Sequence, residues 1–190
     1  MAPVVTTIVQ PASEPVTRDQ LKAFSRVTSN LEDSLLDTLI RTARRECETY
    51  MKRSLITQTK VLTVKSLAYG TSVDLPEGPV QSLTKVEYLD ANDGTYKDLD
   101  SSVYRLSHMN RFVSEVRIVE GFDKNVDTKS EEAFRITYVA GYGDDGDDVP
   151  PEVQTGILIA ANNVYENRGD KQTPKLARDL WDGERKVSFS

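Results

Sequence analysis

Three kinds of side chain in this sequence invite a chemical reading: a lone imidazole, a lone thiol and a dense acidic run. His108 is the sole histidine and sits in a polar stretch that reads as a loop. Nucleophilic catalysis by serine or cysteine needs a base beside the nucleophile, and no such pairing with this one imidazole can be picked out. A multi-histidine metal site is excluded by count. Cys47 is the only cysteine, which excludes an internal disulfide and any cysteine-built zinc site. It falls among helical apolar positions and reads as a small core residue. The run Asp144-Asp145-Gly146-Asp147-Asp148 suggests calcium, but it lacks the alternating carboxylates and closing glutamate of a calcium-binding loop, so it reads as a solvated hinge. Glycine loops that cradle phosphate are absent. Paired carboxylates for sugar hydrolysis cannot be singled out among so many scattered Asp and Glu. The residues point to a non-enzyme, with no metal and no cofactor.

The totals narrow the class further. The chain has 190 residues, 38% hydrophobic and 28% charged, enough for one domain with a real core. Its net charge is −6 and its pI about 4.9. Gripping nucleic acid needs clustered Lys and Arg to neutralise phosphates, so this balance argues against it, while an acidic wall suits DNA that slides past. The first fifteen residues lack the basic start and apolar core of a signal peptide. No apolar run approaches a membrane span. The expectation is a soluble protein made inside the cell, with no membrane partner.

The elements that would position any site follow from spacing. Residues 1–16 carry Pro3, Pro11 and Pro15 among Thr, Ser and Val, and read as an extended arm rather than a folded element. Thr17-Arg18-Asp19-Gln20 is a capping-box pattern that starts a short helix with Leu21 and Phe24. Ser29-Asn30 restarts a longer one, on which Leu31, Leu35, Leu36, Leu39, Ile40, Ala43, Cys47, Tyr50 and Met51 recur at spacings of three and four. Helices thus fill 17–53. The texture of 54–143 is β: stretches 56–64, 83–89, 103–106, 113–119 and 134–139 read as strands, with a hairpin-type turn at Asn92-Asp93-Gly94 and a charged loop over 120–132. Helix returns over 149–182. Pro151 suits a first turn and Gly169 a left-handed cap, and Pro174 opens a last short helix ending in Trp181. Residues 183–190 form a tail. The sum is an α+β protein: a helical layer, from the N-terminal helices plus the C-terminal helix, with an inserted, mostly antiparallel β region, in one domain over 1–190.

Three features invite a partner. Arg41, Arg44, Arg45, Lys52 and Arg53 are the only basic concentration, either a solvated helix face or a contact for an acidic patch on another subunit. Gly141-Tyr142-Gly143 is either a sharp strand end that only glycine tolerates or a loop tip that touches a partner through Tyr142. In the tail, Val187 and Phe189 alternate after Arg185 and Lys186, a pattern that suits docking in a groove or adding a strand to another chain; a frayed terminus is the alternative.

The chain resembles the phage head–tail connector (adaptor) proteins, in particular the phiE125 gp8-like and gp6-like connectors. Val16-Thr17 leading to Leu21-Lys22 and Val27 is similar to that family's opening helix. Asp33, Leu36, Ile40, Ala43 and Tyr50, followed by Leu55-Ile56-Thr57-Gln58-Thr59, resemble its long helix and first strand. Leu75-Pro76 with Pro79-Val80-Gln81-Ser82-Leu83, then Val86, Tyr88, Asp90 and Gly94, resemble its central strand and hairpin, and Tyr104-Arg105 follow in order. The most specific match is Ile136-Thr137-Tyr138-Val139-Ala140-Gly141-Tyr142-Gly143, then Val149-Pro150 and a helix ending Tyr165-Glu166-Asn167-Arg168. Departures are Lys52-Arg53-Ser54, where a glycine turn is common, and the polar tail after Leu180-Trp181.

The resemblance implies a ring of about twelve copies that docks beneath the portal, extends the DNA channel and supplies the platform for the next neck or tail protein. The implied partners are further copies of the chain, the portal, that downstream stopper or terminator, and DNA passing without sequence-specific binding. The implied location is the virion neck, after synthesis in the host cytoplasm. Trp181, Arg185, Lys186, Val187 and Phe189 become portal-docking candidates. Arg41, Arg44, Arg45, Tyr142 and Tyr165 become subunit-interface candidates, and Asp144, Asp145, Asp147 and Asp148 channel or loop candidates. The alternative is another neck or tail-completion ring protein, a stopper or terminator.

Overall fold

A computed structural model describes residues 4–167 and 172–186. Along the chain these form β1 (Val4–Val9), α1 (Arg18–Ser25), α2 (Asp33–Met51), β2 (Gln58–Val64), β3 (Ser72–Leu75), β4 (Val80–Leu89), β5 (Tyr96–Asp98), β6 (Tyr104–His108), β7 (Ser114–Ile118), β8 (Phe134–Ala140), α3 (Pro151–Glu166) and α4 (Lys175–Trp181). The fold is α+β, and the chain divides into two units, Met1–Gln10 with Gln58–Gly141 and Pro11–Thr57 with Tyr142–Ser190.

The first unit is built on β8. Its strand partners are β2 on one side and β4 on the other, in a five-stranded sheet of order β1-β2-β8-β4-β5; a second sheet runs β3-β7-β6. All of these pairings are antiparallel. Flanked on both edges, β8 buries Phe134, Ile136, Thr137, Tyr138 and Ala140, and Leu62, Val86, Val116 and Ile118 share that core. Burial pushes the Tyr138 phenol well above its ordinary range, and its hydroxyl donates to Pro76 O at 2.7 Å. The turn at Asn92-Asp93-Gly94 is present: Asp90 Oδ1 accepts from Asn92 N at 2.8 Å, and Gly94 takes φ 70°.

Three local expectations change here. The stretch read as an arm holds β1, paired with β2 from Val4↔Thr63 to Val9↔Thr59; all six of its residues are β-branched, which suits an edge strand. Two short strands, β3 and β5, are present that are too short to show a period in the sequence. The charged loop of 120–132 is not wholly solvated, since Phe122 and Val126 pack against the core and Phe122 meets Phe134 edge-on at 6.0 Å.

In the second unit the capping box at α1 forms as written. Thr17 Oγ1 accepts from Gln20 N at 3.2 Å, and Gln20 Oε1 accepts from Thr17 N at 2.6 Å. On α2, Leu36, Ile40, Ala43, Cys47 and Met51 are buried. Leu31 is not part of that stripe: the helix begins at Asp33, and Leu31 is 94% exposed. Helix α3 starts with Pro151 as expected, and packs on α1, α2 and α4 through Val153, Ile157, Ala160 and Ala161. Its C-cap is Asn167; the expected cap at Gly169 lies outside the described residues. At the end of α2, Lys52 holds the left-handed cap position with φ 55°, the place where glycine is usual.

Candidate functional site

The basic cluster of α2 is split by the fold. Arg44 is only 5% exposed; its Nε is 2.8 Å from Glu14 and its Nη1 2.7 Å from Glu48. Glu48 also accepts from Leu55 N at 3.0 Å. Arg44 therefore ties the 11–15 segment to α2 within its own unit. Arg53 is buried as well, 3.6 Å from Glu184, with its guanidinium 5.1 Å from the centre of the Tyr142 ring. Arg41, Arg45 and Lys52 remain exposed. The carboxylates of α2 face other cations. Asp33 pairs with Lys22 at 2.6 Å and with Arg18 at 3.0 Å, and Asp37 pairs with Arg18. Hydrogen bonds from Lys22 and Arg18 hold the Asp33 and Asp37 carboxyls, respectively, below their ordinary range.

Around the chain's end the structure gathers residues that sequence placed far apart. Trp181 is wholly buried, its Nε1 donating to Val153 O at 3.2 Å. Gly156 makes room for it: a Cβ there would lie 2.3 Å from Nε1. Tyr50 stacks at a tilt 6.0 Å from Trp181 and donates to Asp182 at 2.7 Å, a bond that raises the Tyr50 phenol. Tyr142 donates to Glu184 at 2.8 Å, Arg185 lies 4.6 Å over the Tyr50 ring, and Lys186 N donates to Met51 O at 3.0 Å. Trp181 is thus a core residue of its own unit, and Arg185 and Lys186 are held at the root of the tail. Val187 and Phe189 lie outside the described residues. Tyr165 donates to Glu32 at 2.5 Å, which joins α3 to the start of α2.

The acidic loop is exposed but held. Asp145 N donates to Asp148 Oδ2 at 3.2 Å, and Gln154 Nε2 donates to Gly146 O at 3.1 Å and Val149 O at 2.8 Å. Ser13 Oγ donates to Asp144 O at 2.6 Å, and a Cβ at Gly146 would stand 2.7 Å from Pro15 O. Asp145, Asp147 and Asp148 line a cleft of about 940 Å³ with Pro15, Arg18, Asp37 and Arg41. Among the described residues no group of three or more His, Cys, Asp or Glu could hold a metal ion.

His108 ends strand β6 rather than lying in a loop, and its Nδ1 is 2.9 Å from Ser114 Oγ. The two are directly opposite in the β6–β7 ladder, so a hairpin brings together a pair that sequence spacing did not suggest. Ser114 is 6% exposed, its hydroxyl is satisfied by the imidazole, and the pair borders a cavity of about 310 Å³. Burial pushes the Cys47 thiol far above its ordinary range. No described helix is long and apolar enough to cross a membrane.

No family model matches the chain, and no curated protein matches it. Solved structures do. The fold is similar to a chain in the neck of an empty GTA particle computed with C6 symmetry, with TM-score 0.81 and 18% identity over 98% of this chain and 97% of that one. A chain in the virion of a native gene transfer agent (GTA) particle gives TM-score 0.80 at 18% identity, with the same coverage. One in the neck of the native GTA particle computed with C12 symmetry gives 0.72 at 20%. At these identities the likeness is one of fold, and it extends over nearly the whole of both chains.

Proposed function

We propose that this chain is a structural protein of a phage-type virion neck: a head–tail adaptor that forms a ring on the portal, extends the DNA channel and presents a platform to the next neck or tail protein. The observation that carries the reading is the end-to-end likeness of fold to chains from particle necks, one of them in a neck computed with C12 symmetry. The chain's own chemistry agrees with it. A net charge of −6 per copy makes an assembled ring a poor adhesive for phosphate, which suits a channel wall. In this reading the tail docks on the portal, with Arg185 and Lys186 at its root and Val187 and Phe189 beyond, while Trp181 supports that root from inside the helical unit. The test is binding to purified portal by co-sedimentation, for the full chain and for a chain ending at Lys186. The full chain pellets with portal and the shortened one does not. A full chain that ignores portal contradicts the adaptor role; equal binding by both contradicts only the docking role of the tail.

A further inference from the structure

Two clefts of the helical unit border different stretches of the α2 surface. On one stretch, Asp37 and Arg41 border the cleft that also takes in Asp145, Asp147 and Asp148. On the other, a groove of about 410 Å³ between α2 and α4 is walled by Arg45, Glu46, Tyr50, Arg178 and Trp181. At about 100° per residue Tyr50 is set roughly 180° from Arg41 around the helix and Arg45 about 40°, so the cleft and the groove lie on adjoining sides of α2 and share no lining residue.

The groove is cationic. Arg45 and Arg178 are exposed, with no ion pair within 4 Å among the described residues. Its acid is Glu46, whose carboxyl burial holds above its ordinary range against the pull of Arg178. Its floor is aromatic and fixed, since Trp181 is buried and Tyr50 is bonded to Asp182. The loop is anionic and equally fixed. Its backbone is pinned by Ser13 and Gln154, and the Asp144 and Asp147 carboxylates have no ion pair among the described residues. Two separate, prearranged surfaces of opposite charge on one chain suit a head-to-tail contact, the kind that closes rings.

We infer that neighbouring copies of this chain associate head to tail, with the acidic loop 144–148 of one copy seated in the Arg45/Arg178 groove of the next. This rests on the reading of the chain as a neck ring and names the contact that would build it. Asp145 and Asp148 cap their own turn, so the specificity falls to Asp144 and Asp147, which are free to meet the two arginines.

Two charge-reversed proteins test this, Asp144→Lys/Asp147→Lys and Arg45→Glu/Arg178→Glu, each checked for helix content by circular dichroism. Sedimentation velocity at low salt, alone and with portal, reads the assembly. Each variant alone loses association at least tenfold, and an equimolar mixture regains it, because the lysine loop meets the glutamate groove and the aspartate loop meets the arginine groove. Should a reversed protein fail to fold, Asp144→Asn/Asp147→Asn and Arg45→Gln/Arg178→Gln each weaken association several-fold. Variants that assemble like the wild type, or a folded mixture that stays apart, overturn the inference while leaving the ring intact. A wild-type chain that never assembles, with or without portal, overturns the ring reading and the inference together.

Discussion

Replacing Gly156 with alanine places a Cβ 2.3 Å from Nε1, 2.9 Å from Cδ1 and 3.0 Å from Cε2 of Trp181. In an open helix the same change stabilises by about 1 kcal/mol, because alanine gives up less backbone freedom than glycine. Here the indole must shift. Displacement lengthens the bond from Nε1 to Val153 O, now 3.2 Å, at a cost of about 1 kcal/mol. Forcing a methyl into a filled core costs about 1–3 kcal/mol more. The net expectation is a loss of about 1–3 kcal/mol, or roughly 2–12 °C in melting temperature for a chain of this size. Trp181 is the only tryptophan, so its fluorescence follows the helical unit alone during urea or thermal unfolding. The decisive control is Trp181→Leu. In that background the added methyl has room, so Gly156→Ala turns neutral or mildly stabilising by circular dichroism, and the cycle gives a coupling of about 2 kcal/mol. If Gly156→Ala raises stability while Trp181 is intact, the packing account of the α3–α4 contact is wrong.

Other outcomes follow from single sites. Lys52→Gly relieves a side chain held at φ 55° and raises stability by up to about 1 kcal/mol in denaturant titration, partly offset by the looser unfolded chain. The Cys47 thiol, buried and with its ionisation pushed far up, stays unlabelled by a thiol reagent in the native protein, and labels only as fast as the unit opens. Hydrogen bonds from Lys97 and Thr95 lower the Asp93 carboxyl from 3.8 to about 2. A carboxyl so depressed contributes stability that is present above 3.8 and lost as pH falls through 2. The part of the β unit's urea midpoint that Asp93 supplies is therefore constant from pH 7 to 5 and declines between about 4 and 2, a small effect because the pair is exposed. Lys97→Met flattens that decline.

What could be read in the sequence was whatever has a local cause. Thr17 and Gln20 cap a helix by their own spacing, Pro151 starts one by its fixed dihedral, and the alternation of Phe134, Ile136 and Tyr138 marks a strand, whose two neighbours only the fold supplies. Leu31 keeps the helical spacing of the stripe yet lies two residues before the helix begins at Asp33. The prolines at 11 and 15 hid β1, although its six β-branched residues were the available signal. The basic residues of α2 were harder for a different reason. Arg41, Arg44 and Arg45 look alike along the chain, and the partner that distinguishes Arg44 beyond its own helix is Glu14, thirty residues away. Arg178 joins Arg45 across two helices, a proximity that no spacing rule encodes. The pairing of His108 with Ser114 likewise needed the hairpin register.

The most direct test of the neck assignment is the mass of the assembled protein in solution, measured by light scattering or native mass spectrometry with and without portal. The account predicts a closed oligomer of fixed stoichiometry, present alone or formed on adding portal, at a multiple of the 21.3 kDa chain. A chain that remains at 21.3 kDa under both conditions contradicts it.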